Sequence, residues 1–341
     1  MSQATPTIAV PAKAGRVSAI DFTKGTLVLI MVLYHWINYF IGVDWAYYRY
    51  LRFLTPSFIL VSGFLISNVY LVKYDLAGWR LPRRLLTRGL KLLALFVVLN
   101  AARMALLAAP MAQQLSWSNL AAIFVVGNVV TMSGKVVAFY ILVPISYLLI
   151  FSAGLVLPYR FFKYSYHLAC LIFLLGVLVV DISGSSSYNL EFVAIGLLGV
   201  LVGFISIEKI NRAVSHPYLL VASYACYTIA ITLWNVPFPL LVAGAFLSIG
   251  AIYLAGLRGG DGSRARGCIV LLGRYSLFGY VAQIAILQFL SLGLRRLAQG
   301  YTLLGVSFVA AFALTIAAVE VLDRSRVKSA ILDRAYKAVF A

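Results

Sequence analysis

The sequence predicts an all-α polytopic membrane protein, a bundle of about ten transmembrane helices with both termini cytoplasmic. Hydrophobic residues make up 63% of its 341 residues and charged residues only 11%, whereas about 25% of residues are charged in an ordinary soluble domain. The apolar residues fall in blocks of about 17–25 residues, each long enough to cross a hydrocarbon core of about 30 Å. The basic residues, in addition, are concentrated in alternate loops.

The apolar blocks predict the order of the spans and a single transmembrane domain over residues 18–323. Residues 1–17 are rich in Ala, Pro and Thr and are predicted to be a loose cytoplasmic segment, and residues 324–341 a basic cytoplasmic tail. A further apolar block, 123–132, is interrupted by polar residues and is too short to span, so a re-entrant or interfacial helix is predicted there. The predicted spans are 24–42, 54–72, 88–109, 135–156, 165–183, 190–206, 217–234, 237–256, 268–292 and 301–322.

Loop charge supports each of these spans in turn, because cytoplasmic loops carry an excess of Lys and Arg. With the amino end inside, basic residues precede the first span, lie between spans two and three, four and five, six and seven, and eight and nine, and follow the tenth. These segments hold 22 of the 28 basic residues. If the 123–132 block also crossed, every later basic loop would lie outside. The location predicted is therefore a cell (inner) membrane, with both termini cytoplasmic.

Composition also argues against several functions. The net charge of +18 would suggest nucleic-acid binding in a soluble protein. No basic segment here is long enough or sufficiently interleaved with aromatic residues for that partner. The three cysteines, Cys170, Cys226 and Cys268, have no CxxC spacing and no nearby His, so the sequence predicts neither a disulfide nor a metal site.

Polar residues in the first span form the first candidate site, because each is costly in lipid. Lys24 and His35 are eleven residues apart, which is three helical turns plus about 20°, so they share one face about 16 Å apart along the axis. Asp21 and Asn38 lie three residues beyond them, near the same stripe. The pattern predicts a cation at the cytoplasmic mouth and an imidazole more than halfway across. In the alternative interpretation, His35 bonds a neighbouring helix and Lys24 extends to lipid headgroups.

The second and third spans add a hydroxyl and a basic face. Ser62 precedes Gly63, a pair that supplies a hydroxyl or simply allows close helix packing. Arg84, Arg88 and Lys91 fall on one face at the start of the third span. Arg and Lys bind phosphate groups, so this face predicts either a docking site for a phosphorylated cofactor or an anchor to lipid phosphates.

These motifs resemble the membrane-bound acyltransferase-3 family and its relatives that modify periplasmic glucans or heparan glucosamine. That family opens its first helix with a basic residue, ten arbitrary residues and a His; Lys24-x10-His35 has this form, with Lys where Arg is usual. Residues 58–66 resemble the family's second-helix motif, and 84–91 its basic entry to the third helix. Residues 272–280 are similar to the start of a late helix, after which Gln283 stands where a His is frequent.

The resemblance implies an integral membrane acyltransferase that moves an acyl group, expected to be acetyl, from cytoplasmic acyl-CoA to a hydroxyl or amine of a cell-surface or periplasmic glycan. His35 would be the general base, Asn38 or Ser62 would donate a hydrogen bond to the oxyanion, and no metal takes part. A transporter or flippase for a small polar or lipid-linked substrate, and a structural or sensory subunit, are the alternatives. The residues expected to hold the acyl-CoA are Lys24 with Asp21 orienting it, Arg84, Arg88 and Lys91.

Overall fold

The computed structural model describes residues 17–42, 48–74, 78–107, 121–127, 130–131, 134–135, 138–234, 237–259, 263–297 and 300–340. These residues form thirteen α-helices and a hairpin of two two-residue strands, Val130–Thr131 and Gly134–Lys135. The helices are α1 Ser18–Trp36, α2 Leu54–Leu65, α3 Arg80–Leu107, α4 Leu142–Tyr159, α5 Ser165–Ile182, α6 Tyr188–Gly203, α7 Ile207–Val214, α8 Pro217–Leu233, α9 Phe238–Arg258, α10 Arg264–Arg274, α11 Ser276–Leu297, α12 Gly300–Lys328 and α13 Ala330–Phe340. Helical segments with π geometry, Ile37–Ile41 and Ile66–Leu71, continue α1 and α2, a third covers Ala122–Val126, and a 3₁₀ turn covers Arg49–Leu51.

Eight helical stretches of the described chain are long and apolar enough to cross a membrane. A ninth candidate is the pair α6 and α7, which bends by 105° at its break, and α8 is a shorter apolar helix. The prediction of a helical, multi-pass membrane protein is therefore confirmed. The eight stretches are Ser18–Ile41, Arg49–Leu71, Arg80–Arg103, Leu142–Tyr159, Ser165–Ile182, Phe238–Arg258, Ser276–Leu294 and Gly300–Lys328.

Several predicted spans differ from the helices in their boundaries: α3 begins at Arg80 rather than at residue 88, and α4 begins at Leu142 rather than at residue 135. The first helix begins at Ser18, six residues before the predicted start, because Asp21 and Lys24 neutralise each other inside its first two turns. The predicted span 268–292 is divided into α10 and α11 at Tyr275. The predicted loose segment 1–17 lies, except for Val17, outside the described residues.

The short apolar block 123–132 forms no span in its described part. It contains a single π-helical segment that ends at Gly127, whose φ of +86° favours glycine. The amide of Asn189 on α6 donates to the backbone oxygens of Ile123 and Phe124, at 3.0 and 2.9 Å. These bonds fix the segment against α6. A non-spanning segment needs such bonds where no water can satisfy the hydrogen-bonding groups of its backbone.

Glycines allow the central helices to pack closely. A Cβ added at Gly63 of α2 would overlap the carbonyl oxygen of Gly196 on α6, and one at Gly199 would overlap that of Leu60. Gly203 lies against the next turn of α2. Gly199 and Gly203 form a GxxxG pair, a spacing that lets two backbones approach, and α2 and α6 accordingly pack as one layer.

The first helix is central to the fold, since it contacts α2, α9, α10, α11 and α12. Glycines again allow the closest crossing: Gly25 lies against the backbone of Ile269 on α10, and Gly273 against that of Asp21. This position surrounds His35, in the last turn of α1, with protein.

Candidate functional site

A cavity of about 170 Å³ lies between α2, α3, α4, α11 and α13. Most of its wall is aliphatic or aromatic, which suits a long apolar arm more than a free ion. Among its lining residues, those with polar atoms on the side chain are Ser62, Tyr70, Arg88, Lys91, Ser276 and Tyr280. Three of the sequence-predicted site residues, Ser62, Arg88 and Lys91, therefore meet in one cavity.

The basic face of α3 forms the cationic wall of this cavity. The Arg88 guanidinium lies 5.5 Å from the centre of the Tyr70 ring, and one turn earlier that of Arg84 lies 5.2 Å from the Tyr74 ring. The two tyrosine rings stack on each other at 6.2 Å. Cation–π contacts restrict the guanidinium groups, so Arg88 is held in place at the cavity while the exposed Arg84 is not part of its lining.

Ser62 reaches the cavity from α2, but its hydroxyl is already engaged. Its Oγ donates to the carbonyl oxygen of Phe58, one turn earlier, at 2.8 Å. Such a bond back to the preceding turn is ordinary for a serine within an apolar helix. A role as oxyanion donor therefore requires Ser62 to rotate about its Cα–Cβ bond.

His35 adjoins the cavity through Tyr280. The imidazole is buried, with 9% of the residue exposed. Its ring centre lies 5.1 Å from that of Tyr34, in an edge-on contact, and 6.4 Å from that of Tyr280. Tyr280 also lines the cavity, so this one ring borders both the cavity and the imidazole.

Tyr280 is supported by a strained turn that the sequence analysis missed. The edge of the Phe139 ring meets Tyr280 at a centre-to-centre distance of 6.0 Å. Phe139 has a φ of +59°, a conformation that costs a non-glycine residue about 1–3 kcal/mol. The amide of Asn100 on α3 fixes the preceding residue, donating to the oxygen of Ala138 at 3.0 Å and accepting from its nitrogen at 2.9 Å. The polarity of Asn100 within an apolar span was the available signal for this role.

Gln283 is a second polar group on the face of α11 that carries Tyr280. It lies three residues beyond Tyr280, so both project from the same side of the helix. The residue is fully buried, and neither polar atom of its amide has a hydrogen-bond partner among the described residues. A buried unsatisfied amide costs about 1–3 kcal/mol, which indicates a polar role here rather than a packing one.

The remaining predicted residues lie away from the lining of the cavity. Lys24 Nζ and Asp21 Oδ1 are 2.8 Å apart, and both side chains are largely buried where α1 crosses α10. Asn38 lies in the π segment after α1. A π turn takes more residues than an α turn, so Asn38 is rotated from the stripe that a continuous α-helix predicted. The described lining includes neither these three residues nor Arg84.

No cluster of three or more His, Cys, Asp or Glu residues that could hold a metal ion occurs in the part of the chain that the structure describes. The three cysteines are unpaired: Cys170 is buried, Cys226 exposed and Cys268 half-buried. The polar side chains that line the cavity are cations and hydroxyls, and the imidazole of His35 adjoins the cavity through Tyr280.

Comparison of the chain with protein-family models, curated proteins and solved structures finds no match. The resemblance of its motifs to membrane-bound acyltransferases therefore stays a prediction. The residues that line the cavity, and those that adjoin it, are the features from which a function can be inferred.

Proposed function

We propose that the protein is an integral membrane acyltransferase that moves an acyl group, acetyl in the first instance, from cytoplasmic acyl-CoA to a hydroxyl of a cell-surface or periplasmic glycan. One observation carries the proposal: an apolar cavity has Arg88 and Lys91 in its wall, and Tyr280, which also lines it, lies against the buried His35. Cations for phosphates, an apolar path and a base are the three groups that such a transfer needs.

The donor would bind along the cavity from its cationic part to its apolar part. The phosphates of CoA pair with Arg88 and Lys91, whose fork and point charge suit phosphate oxygens. The pantetheine arm follows the apolar wall formed by residues such as Ile145 and Leu149 of α4. The thioester then reaches the region of Tyr280, next to His35.

The transfer itself needs one proton to move twice. A ring nitrogen of neutral His35 takes the proton of the acceptor hydroxyl while its oxygen attacks the thioester carbonyl carbon. The carbonyl oxygen carries the negative charge of the tetrahedral intermediate. That intermediate collapses by breaking the C–S bond, and the departing thiolate takes the proton from the His35 imidazolium. The products are an acyl ester of the acceptor and free CoA thiol.

A direct test uses the purified protein, radiolabelled acetyl-CoA and candidate glycans. Label transferred to the glycan and CoA thiol released in equal amounts is the expected result, since each turnover makes one of each. Release of CoA thiol without labelling of any candidate glycan would show that the protein hydrolyses acyl-CoA and does not transfer its acyl group to them. Movement of a glycan across a vesicle membrane with no thiol released would favour the transporter.

The proposed orientation is ten spans with both ends cytoplasmic, α6 and α8 crossing in addition to the eight long stretches. It is supported by the basic loops, including the one between α9 and α10. In a cysteine-free background, an impermeant thiol reagent should label Ser186→Cys in intact cells, and Ser263→Cys only after permeabilisation. Both positions are exposed and so are matched for access. Labelling of Ser263→Cys from outside would overturn the span count.

A further inference from the structure

The short helix α13 covers the donor cavity. Val339 and Phe340 of this helix line the same cavity as Arg88 and Lys91. The Phe340 ring makes an edge-on contact with Phe278 of α11, with ring centres 5.7 Å apart. The other described lining residues lie on the long apolar stretches or, for Ile141, in the turn before α4, so α13 is the one short helix among them.

A set of four residues, here called the latch, holds α13 to the bundle. It consists of Arg326 on α12, Asp333 and Tyr336 on α13, and Tyr275 between α10 and α11. The Arg326 guanidinium forms an ion pair with Asp333, lies 4.0 Å from the centre of the Tyr336 ring, and donates to the Tyr275 hydroxyl at 2.9 Å. The Arg326 guanidinium therefore contacts each of the other three residues of the latch.

The latch is charged at neutral pH. Hydrogen bonds from Lys337 and then from Arg326 hold the pKa of the Asp333 carboxyl below its ordinary value. A carboxyl with a lowered pKa keeps its ionised form, and the ion pairs that depend on it, until the pH falls through that lowered value. The ion pairs of the latch are therefore present throughout the physiological range.

The docked helix competes with a ligand for the cavity. Val339 and Phe340, the last two residues of α13, line the cavity together with Arg88. An anionic molecule that pairs with Arg88 and threads the cavity from this side must displace them. Only Ser329 separates α12 from α13, and it is the one place where the pair can bend as a hinge.

The contacts that oppose opening are few. The helix has eleven residues, too short to be stable alone in water, and its outer face leaves Ile331 and Leu332 exposed at 78% and 46%. Elements with few buried contacts open at a small fraction of the global unfolding free energy. We propose that α13 is a lid: closed, it keeps Val339 and Phe340 in the donor cavity, and opening about Ser329 admits the donor.

The proposed function enters this inference only in the identity of the donor, so the test measures access and not transfer. The reporter is Ser62→Cys, which lines the cavity, in a background without the three native cysteines. Its rate of modification by a small neutral thiol reagent is measured with the latch intact, with Asp333→Ala, and with residues 330–341 deleted. Because Asp333 carries the ion pair that joins α13 to Arg326 on α12, its loss should speed labelling roughly tenfold, and the deletion should speed it further.

A matched control is Arg334→Ala, since Arg334 is exposed on the same helix and takes no part in the latch. This variant should label at the rate of the intact lid. A further variant, Phe340→Ala, leaves the latch in place and should speed labelling by opening space in the cavity. Each protein must elute as a sharp peak, so that a rise cannot come from unfolding.

The outcomes separate the lid from the donor. Labelling that is unchanged by Asp333→Ala, Phe340→Ala and the deletion would overturn the lid. Labelling that rises as expected, but is not slowed by added acetyl-CoA, would leave the lid standing and count against acyl-CoA as the ligand. Equal acceleration in Arg334→Ala would show a general loosening of α13 and would also overturn the latch.

Discussion

His35→Gln is expected to lower the rate of acyl transfer by about 10²- to 10⁴-fold while acyl-CoA still binds. Glutamine keeps a polar side chain of similar reach but cannot accept and return a proton near pH 7. The site around His35 makes this substitution informative, because the imidazole is buried beside Tyr280 at the edge of the cavity. His35→Ala should abolish measurable transfer as well.

His167→Gln is the matched control, since it makes the same chemical change at an exposed histidine in the first turn of α5. Transfer is measured by glycan labelling, donor binding by calorimetry, and folding by elution as a sharp peak. Loss of transfer with binding intact supports the proton-transfer role. Retention of transfer within a few-fold of wild type in His35→Gln would make His35 a packing residue and end the mechanism.

Those features of the fold that depend on a single helix can be predicted from the sequence. Apolar runs of span length predict helices because a backbone in lipid must satisfy its own hydrogen bonds. Apolar runs alone do not show where two charged residues form an ion pair with each other, as Asp21 and Lys24 do inside α1. Nor do they show that the helix breaks at Tyr275, because Arg274 and Ser276 interrupt the apolar run there without ending it. Boundaries at these places depend on partners in other helices.

The candidate site shows the same division. Arg88 and Lys91 share a face because of their spacing, and the cavity contains both. The contact between His35 and Tyr280 depends instead on how α1 and α11 cross, which no local periodicity encodes. The hydrogen bond from the Asn100 amide to the backbone of Ala138 likewise joins residues 38 positions apart. Sequence spacing therefore predicts which face carries the chemistry, and packing decides which faces meet.

The donor end of the cavity gives the second large effect, because Arg88 is the cation that the structure fixes there most firmly. Its guanidinium lies in the lining and is held over the Tyr70 ring. A charged hydrogen bond is worth about 1.5–3 kcal/mol, so Arg88→Ala should weaken acyl-CoA binding about 10- to 150-fold. The limiting rate should fall much less, since in the proposed binding mode Arg88 contacts the phosphates and not the thioester.

Arg83→Ala is the control for this variant, as Arg83 is an exposed arginine on the same helix and outside the lining of the cavity. Calorimetry with acetyl-CoA and with dephospho-CoA separates a phosphate contact from a general effect of charge. Loss of Arg88 should reduce the difference in binding affinity between the two ligands. Lys24→Ala tests the cation predicted on α1, whose charge is already paired with Asp21. If Arg88→Ala binds acetyl-CoA as tightly as Arg83→Ala does, the basic face of α3 is an anchor to lipid phosphates, and the cavity must take an uncharged ligand.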